Sequence, residues 1–341
     1  MFIVRSVRME DLEGLYQLSH LGTFISLPKN KVMLQAIIES SCLSFKKPHK
    51  LLYKNNYIFV LEDMAHKKVI GVSIIHPQHG TDEEPHFFLR VSQEHKYSKS
   101  LNTGFVHGIL KLGYETNGPT EIGGLVLEPE YRNHTDRLGK QLSYSRFLYM
   151  SLFPDRFKEE VHCELLPPFD EKGNSPLWEA IGRRFMNMDY IEADLLSRQN
   201  KEFILNLYPS NTIYVTLLPL EARNAIGKVG QQTMPVKKML EDIGFKYINE
   251  VDPFDGGPHY RCLLKDILPI KNKFKGKIKL EADCPPNLQT KKALLKIPQQ
   301  KDDFYTCKVD VKIHESNIYV GASFLETFPF LKDVETDLIF L

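Results

Sequence analysis

Two strongly apolar runs, Tyr57–Asp63 and Val69–Ile75, are separated only by Met64 to Lys68, and this spacing constrains the fold more than any other feature. So short a connection joins neighbouring strands as a β-hairpin. Helical and extended patterns alternate around it. Phe2 to Val4 reads as a short strand. After Met9-Glu10-Asp11, residues Leu12, Leu15, Tyr16 and Leu18 recur at helical spacing, and Lys31 to Leu43 carries Leu34, Ile37, Ile38 and Cys42 on one face. Phe87–Val91 extends the sheet. Glu121–Leu127 follows as a strand, Glu128–Arg132 as a turn and Leu138–Phe153 as a helix. Val161–Leu166 is a strand ended by Pro167-Pro168. Pro176 to Met186 is expected as one helix with Ser175 as its N-cap, and Pro235–Asp242 as a helix closed by Gly244. Asp255-Gly256-Gly257-Pro258 marks a tight turn between Phe245-Lys246-Tyr247 and Tyr260–Leu264. This order predicts an α/β fold with a mixed sheet.

The last part of the chain differs in character. Lys271–Lys279 is basic, Cys284 to Gln300 reads as a loop, and Tyr305–Ile313 alternates like a half-exposed strand. Residues 273–341 are therefore expected to form a small β-rich appendage. Exposed apolar edge strands there would be compatible with a homo-oligomer.

Composition narrows the partners. Lys and Arg total 44 against 43 for Asp and Glu, so no global field steers the chain to nucleic acid or to a membrane surface. The 5 cysteines are scattered without CxxC spacing, which suits reduced thiols in a cytoplasmic protein. No N-terminal signal and no long uncharged run is seen. His76, His79 and His86 fall near one another, but their spacing matches no standard metal site and no metal is expected.

One stretch carries chemistry. The strand Gly124-Leu125-Val126-Leu127 runs through Glu128-Pro129-Glu130-Tyr131-Arg132 to the helix start at Gly139-Lys140-Gln141-Leu142. A loop at a helix N-terminus offers unpaired N–H groups to a pyrophosphate, and Arg132, Arg137 and Lys140 add charge. This segment resembles the acyl-CoA-binding segment of GNAT N-acyltransferases. The more specific resemblance is to arginine N-succinyltransferases. It rests on Ile3–Leu12, Ser26-Leu27-Pro28, Phe59–Asp63, Leu127–Arg132, Ser143–Phe147, Asp170–Trp178, Ile181–Tyr190, Ala193-Asp194, Ile213-Tyr214-Val215, Gly244–Tyr247 and Val251–Pro258.

The resemblance implies a GNAT-like, mainly antiparallel sheet flanked by helices over 1–272, with a long insertion at about 167–230 and the appendage at 273–341. It implies transfer of a succinyl group from succinyl-CoA to the α-amine of L-arginine, without a metal. Leu125, Val126 and Leu127 would bind the CoA arm through their backbone, with Arg132, Arg137, Gly139 and Lys140 at the phosphates. Glu164, Asp252 and Asp255 are the acidic candidates for the substrate cation. Asp255-Gly256-Gly257 could equally be only a turn.

Three positions depart from the family pattern. The family's proton-donor histidine is replaced by Gly230. Arg137 stands at the first glycine of the Gly-x-Gly loop, leaving Gly139. Leu165-Leu166-Pro167-Pro168 occupies the place of an arginine and a glycine. His259 is the replacement candidate for proton transfer, the alternative being a surface imidazole beside the turn. Arg183-Arg184 reads as solvated or salt-bridged rather than as a carboxylate or CoA-phosphate site, and Trp178 as a core plug rather than a substrate platform. The rival functions are acylation with another amine or acyl donor, and a non-catalytic acyl-CoA-binding or interaction protein.

Overall fold

The computed structural model describes residues 1–21, 27–298 and 303–341. Ser26 of the expected turn and Gln300 at the end of the expected loop lie outside these residues. Along the chain, β1 (Phe2–Ser6) leads to α1 (Leu12–Leu18), α2 (Lys31–Lys46), β2 (Tyr57–Asp63) and β3 (Lys68–His76). Then come β4 (His86–Ser98), β5 (Thr103–Glu115), β6 (Thr120–Leu127), α3 (Leu138–Leu152) and β7 (Glu160–Glu164). Short helices follow: α4 (Pro176–Ala180), α5 (Gly182–Met186), α6 (Tyr190–Ser197) and α7 (Glu202–Leu207). Next are β8 (Ile213–Tyr214), α8 (Leu220–Ala225), α9 (Met234–Glu241), β9 (Lys246–Val251) and β10 (Pro258–Leu263). The chain ends with α10 (Leu268–Lys271), β11 (Phe274–Leu280), β12 (Lys291–Lys296), β13 (Tyr305–His314), β14 (Asn317–Val320), α11 (Ala322–Thr327) and β15 (Glu335–Phe340). The chain divides into two compact units.

The first unit comprises Met1–Pro77, Thr120–Glu159 and Leu263–Leu341. Its β1, β2, β3 and β6 pair antiparallel in that order, as the short hairpin connection requires. Helices α1 and α2 bury Leu15, Leu18, Leu34 and Ile38 against Ile58, Val60, Val72 and Ile74. Arg5 of β1 is buried yet fully engaged, bonding Asp11 through both terminal nitrogens (2.7 and 2.8 Å) and Glu62 through Nε (2.6 Å). An isolated charge there would be expensive, so the triad fixes the first helix to the first strand. The C-terminal strands form a closed ring: β12 pairs with β13 and β15, β15 with β11, β11 in parallel with β14, and β14 with β13. Ile278, Leu295, Val311, Ile318, Val320 and Leu338 fill its core. Because every strand of the ring has two neighbours, it offers no open edge strand among the described residues. Lys291–Lys296, expected within a loop, is a strand of that ring. Its Ala293, Leu294 and Leu295 are consecutively buried, so it carries no alternation to read.

The second unit comprises Gln78–Pro119 and Glu160–Cys262. Its strands follow the order β7-β10-β9-β4-β5-β8. Strands β4 and β5, each 13 residues long, form an antiparallel hairpin. The whole of β5 escapes sequence reading because glycines interrupt it. Gly113 sits opposite Phe88, and a Cβ there would lie 2.6 Å from the Phe88 ring. The single helix expected over Pro176–Met186 is broken at Ile181 (φ −124°, ψ −73°). Gly182 then packs on Trp178, where a Cβ would approach the indole to 2.3 Å. Ser175 caps α4 as expected, accepting the Trp178 N–H at 3.0 Å. Trp178 is fully buried and stacks on Phe254 with ring centroids 4.9 Å apart.

Candidate functional site

The residues expected to hold an acyl donor all lie in the first unit. Between β3 and β6 the register shifts after Val72↔Val126 and resumes at Ile74↔Gly123, so Gly124 and Leu125 oppose Ser73 across a bulge. A bulge interrupts the ladder and releases backbone groups from pairing. Gly124 is required there: its φ is +56°, and a Cβ would meet Ile74 at 2.8 Å. Leu125, Val126 and Leu127 remain partly exposed despite being apolar strand residues. Arg146, buried on α3, holds the strand from behind by donating to the Gly123 carbonyl at 3.2 Å and to Ser143 Oγ at 2.7 Å.

The loop that follows is also explicit. Arg132 is exposed and donates from Nε to the Leu127 carbonyl at 3.2 Å. Arg137 adopts the left-handed conformation (φ 52°, ψ 53°) at the N-cap of α3, and its side chain caps none of the first-turn amides. An arginine therefore does take the backbone shape expected of the family glycine, at a cost of about 1–2 kcal/mol. Gly139 faces open space: a Cβ added to it would meet nothing within 4 Å. Lys140 Nζ lies 4.8 Å from the Tyr144 ring centroid. Asp136 pairs with Lys308, which holds the loop from the other side.

The acidic candidates and His259 lie in the second unit. Asp252 Oδ1 accepts the amides of Phe254 (2.7 Å) and Asp255 (2.9 Å), while Asp255 Oδ1 accepts the amide of Gly257 (2.7 Å). Both carboxyls thus build the turn Asp252–Pro258. Burial raises Asp252 to about 7, reinforced by the charge of Glu164, and pushes Asp255 well above the usual carboxylate range. Gly256 is left-handed (φ +80°), and a Cβ on Gly257 would lie 2.5 Å from the Leu165 carbonyl oxygen, which explains the glycine pair.

His259 is fully buried, so the surface-imidazole alternative does not hold. Burial pushes it down to about 3, leaving it neutral. Around it the fold assembles groups that sequence spacing did not associate. His86, expected in a loop with His76 and His79, is instead the first residue of β4 and is buried. His162 and Glu164 stand two residues apart on one face of β7, and β7 neighbours β10, which carries His259. Glu164 Oε1 lies 3.4 Å from His162 Nε2, 3.6 Å from His259 Nε2 and 3.7 Å from His86 Nδ1. Beside them, Arg261 bonds Glu115 at 2.9 Å and reaches His162 Nδ1 at 3.4 Å.

Two of the departures expected from the resemblance lie against each other. Gly230 donates its amide to the Leu166 carbonyl at 2.9 Å, and a Cβ there would meet the Pro167 carbonyl oxygen at 2.8 Å. The Leu165–Pro168 segment therefore closes over the position where the family has its histidine. Arg183, as expected, is salt-bridged, to Glu179 and Asp189.

Comparison with known proteins shows the family. The profile of the family described as arginine N-succinyltransferase beta subunit matches residues 2–269. Arginine N-succinyltransferase of Shigella dysenteriae serotype 1 is 36% identical over 274 residues, covering 80% of this chain and 78% of that relative. The Escherichia coli strain K12 / DH10B protein of the same name is 35% identical over the same shares. A solved structure, arginine/ornithine succinyltransferase subunit AI from Pseudomonas aeruginosa, superposes with a TM-score of 0.84 at 26% identity, covering 100% of this chain and 98% of that one.

Proposed function

Because the chain belongs to the arginine N-succinyltransferase family, we propose that it transfers a succinyl group from succinyl-CoA to the α-amine of L-arginine, as a step of arginine breakdown. The observation that carries this reading is the bulged strand at Gly124–Leu125 leading into an uncapped helix N-terminus rimmed by Arg132, Arg137 and Lys140. Free strand amides suit the amide groups of a pantetheine arm. First-turn N–H groups with adjacent cations suit a pyrophosphate. We read the fold as GNAT-type, with 1–272 as the acyltransferase body and its insertion at about 167–230, and 273–341 as a supporting β-rich subdomain.

In the reaction the neutral amine attacks the thioester carbonyl. A C–N bond forms, the tetrahedral oxyanion collapses with loss of the C–S bond, and the proton shed by the amine ends on the thiolate. On the acceptor side Glu164 is the substrate-facing carboxylate we favour, since it is partly exposed whereas Asp252 and Asp255 are committed to their turn. Its contact with His259 at 3.6 Å makes that imidazole our candidate for proton transfer. Scattered cysteines without a pairing pattern suit a reducing, cytoplasmic site of action. Among the described residues no helix is long and apolar enough to cross a membrane. The Pseudomonas relative is described as a subunit, which supports an oligomer here.

A second reading, acyl-CoA binding without transfer, is favoured by Gly230 alone. Thiol release from succinyl-CoA, with and without L-arginine or L-ornithine, separates the readings. Arginine-dependent release is expected. Binding by calorimetry with no release would support the second reading, release only with ornithine would reassign the acceptor, and no binding would refute both.

A further inference from the structure

The cluster of His86, His162, His259 and Glu164 has a geometry that acyl transfer does not call for. Each residue offers one ligating atom, and the four atoms lie within 4.8 Å of one another. Three imidazole nitrogens surround a single carboxylate oxygen at 3.4, 3.6 and 3.7 Å. Bonds of about 2.0–2.1 Å to a tetrahedral zinc ion place its donor atoms about 3.3–3.4 Å apart. The three edges that meet at the carboxylate are therefore those of a slightly expanded tetrahedron.

Two further observations point to a ligand. His259 is completely buried, and its Nε2, the atom that faces the carboxylate, has no hydrogen-bond partner among the described residues. Buried imidazoles normally find a partner, because an unsatisfied ring nitrogen costs about 1–3 kcal/mol. The cluster also draws its members from the start of β4, from β7 and from β10, which no local turn could bring together.

We propose that His86, His162, His259 and Glu164 form a binding site for a divalent transition-metal cation of the zinc class. Three neutral imidazoles and one carboxylate match the donor preference of such ions. With all four positions supplied by the protein the site is closed, which is the arrangement of a structural cation, here tying β4, β7 and β10 together. Binding through His162 Nε2 leaves the proton on Nδ1. Arg261, now 3.4 Å from that atom, must then turn fully to Glu115, which it already bonds at 2.9 Å. A metal held by His259 Nε2 and Glu164 Oε1 occupies the atoms read above as proton carrier and substrate carboxylate, so the metal role excludes both acceptor-side roles at those atoms.

The test uses untagged full-length protein, stripped with chelator and titrated with Co2+ in the absence of any acyl donor, so its outcome is separate from that of the thiol-release assay. Wild type should bind about one Co2+ per chain with the intense visible bands of a tetrahedral site, and Zn2+ should displace it and raise Tm. His162→Ala and His259→Ala should each lose the bands and bind more than about tenfold more weakly. His66→Ala, at an exposed histidine of the first unit, should bind as wild type does. The wild-type titration needs no variant to fold: absence of tetrahedral bands at saturating Co2+ overturns the proposal. Bands that survive both substitutions overturn it as well.

Discussion

The donor segment and the imidazole–carboxylate cluster are built in opposite ways. Gly124 to Lys140 is contiguous in sequence and partly open to solvent, and in the proposed reading it acts mainly through main-chain groups and nearby cations. The cluster is mostly buried, is made of side chains, and gathers residues from three distant segments. A backbone site tolerates substitution as long as the chain path is kept, and Arg137 in the left-handed position illustrates this. A side-chain site depends on the packing beneath it. At Gly230, where the resemblance places a histidine, Leu166 and Pro167 leave no room for a side chain.

That contrast can be broken by experiment. The largest effect is expected at Trp178→Ala, since the indole supports the Asp252–Pro258 turn through its stack on Phe254. Urea unfolding should show a loss of about 3–5 kcal/mol, and a smaller loss would mean the acceptor-side turn is held some other way. Next comes Gly230→His, which reinstates the family residue. With its Cβ 2.8 Å from the Pro167 carbonyl oxygen it should destabilise the chain by about 1–3 kcal/mol and leave arginine-dependent thiol release no faster. Faster release would show that the segment yields and that the lost histidine was limiting.

Arg137→Gly should relieve about 1–2 kcal/mol of left-handed strain, seen as a higher Tm. It should also raise the KM for succinyl-CoA up to severalfold by removing an exposed cation whose pairing with a phosphate is worth about 0.2–1 kcal/mol. An unchanged KM would take Arg137 out of the donor site. The smallest effect is expected at Lys308→Ala. Its hydrogen bond to Asp136 holds that carboxyl below the usual carboxylate range, so the pair stabilises the fold at neutral pH and this is lost as pH falls through the folded-state value. The variant should be weaker by less than about 1 kcal/mol at pH 7 and equal to wild type in acid. A difference that persisted in acid would assign the effect to packing.

Legibility follows the same division. The hairpin of β2 and β3, helices α1 to α3 and the donor loop are readable because periodicity and turn chemistry are local properties. Strand β5 is not, because its glycines are explained only by the Phe88 ring across the hairpin. Strand β12 is not, because both its neighbours and its buried run belong to the closed ring. Of the cluster, His162 and Glu164 are open to recognition as an i, i+2 pair on one strand face. His86 groups in sequence with His76 and His79, and that grouping hides its place at the start of β4.

By itself, the sequence determined the family, the α/β class and the strand–loop–helix order from Gly124 to Lys140, since each rests on short-range pattern. The tertiary structure alone decided that His259 is buried, that Gly230 is closed off by Leu166 and Pro167, and that three imidazoles meet on one carboxylate oxygen. These depend on strand pairing and packing between segments far apart in the chain. Side-chain partnership across such distances is set by which strands become neighbours, and no local spacing encodes it.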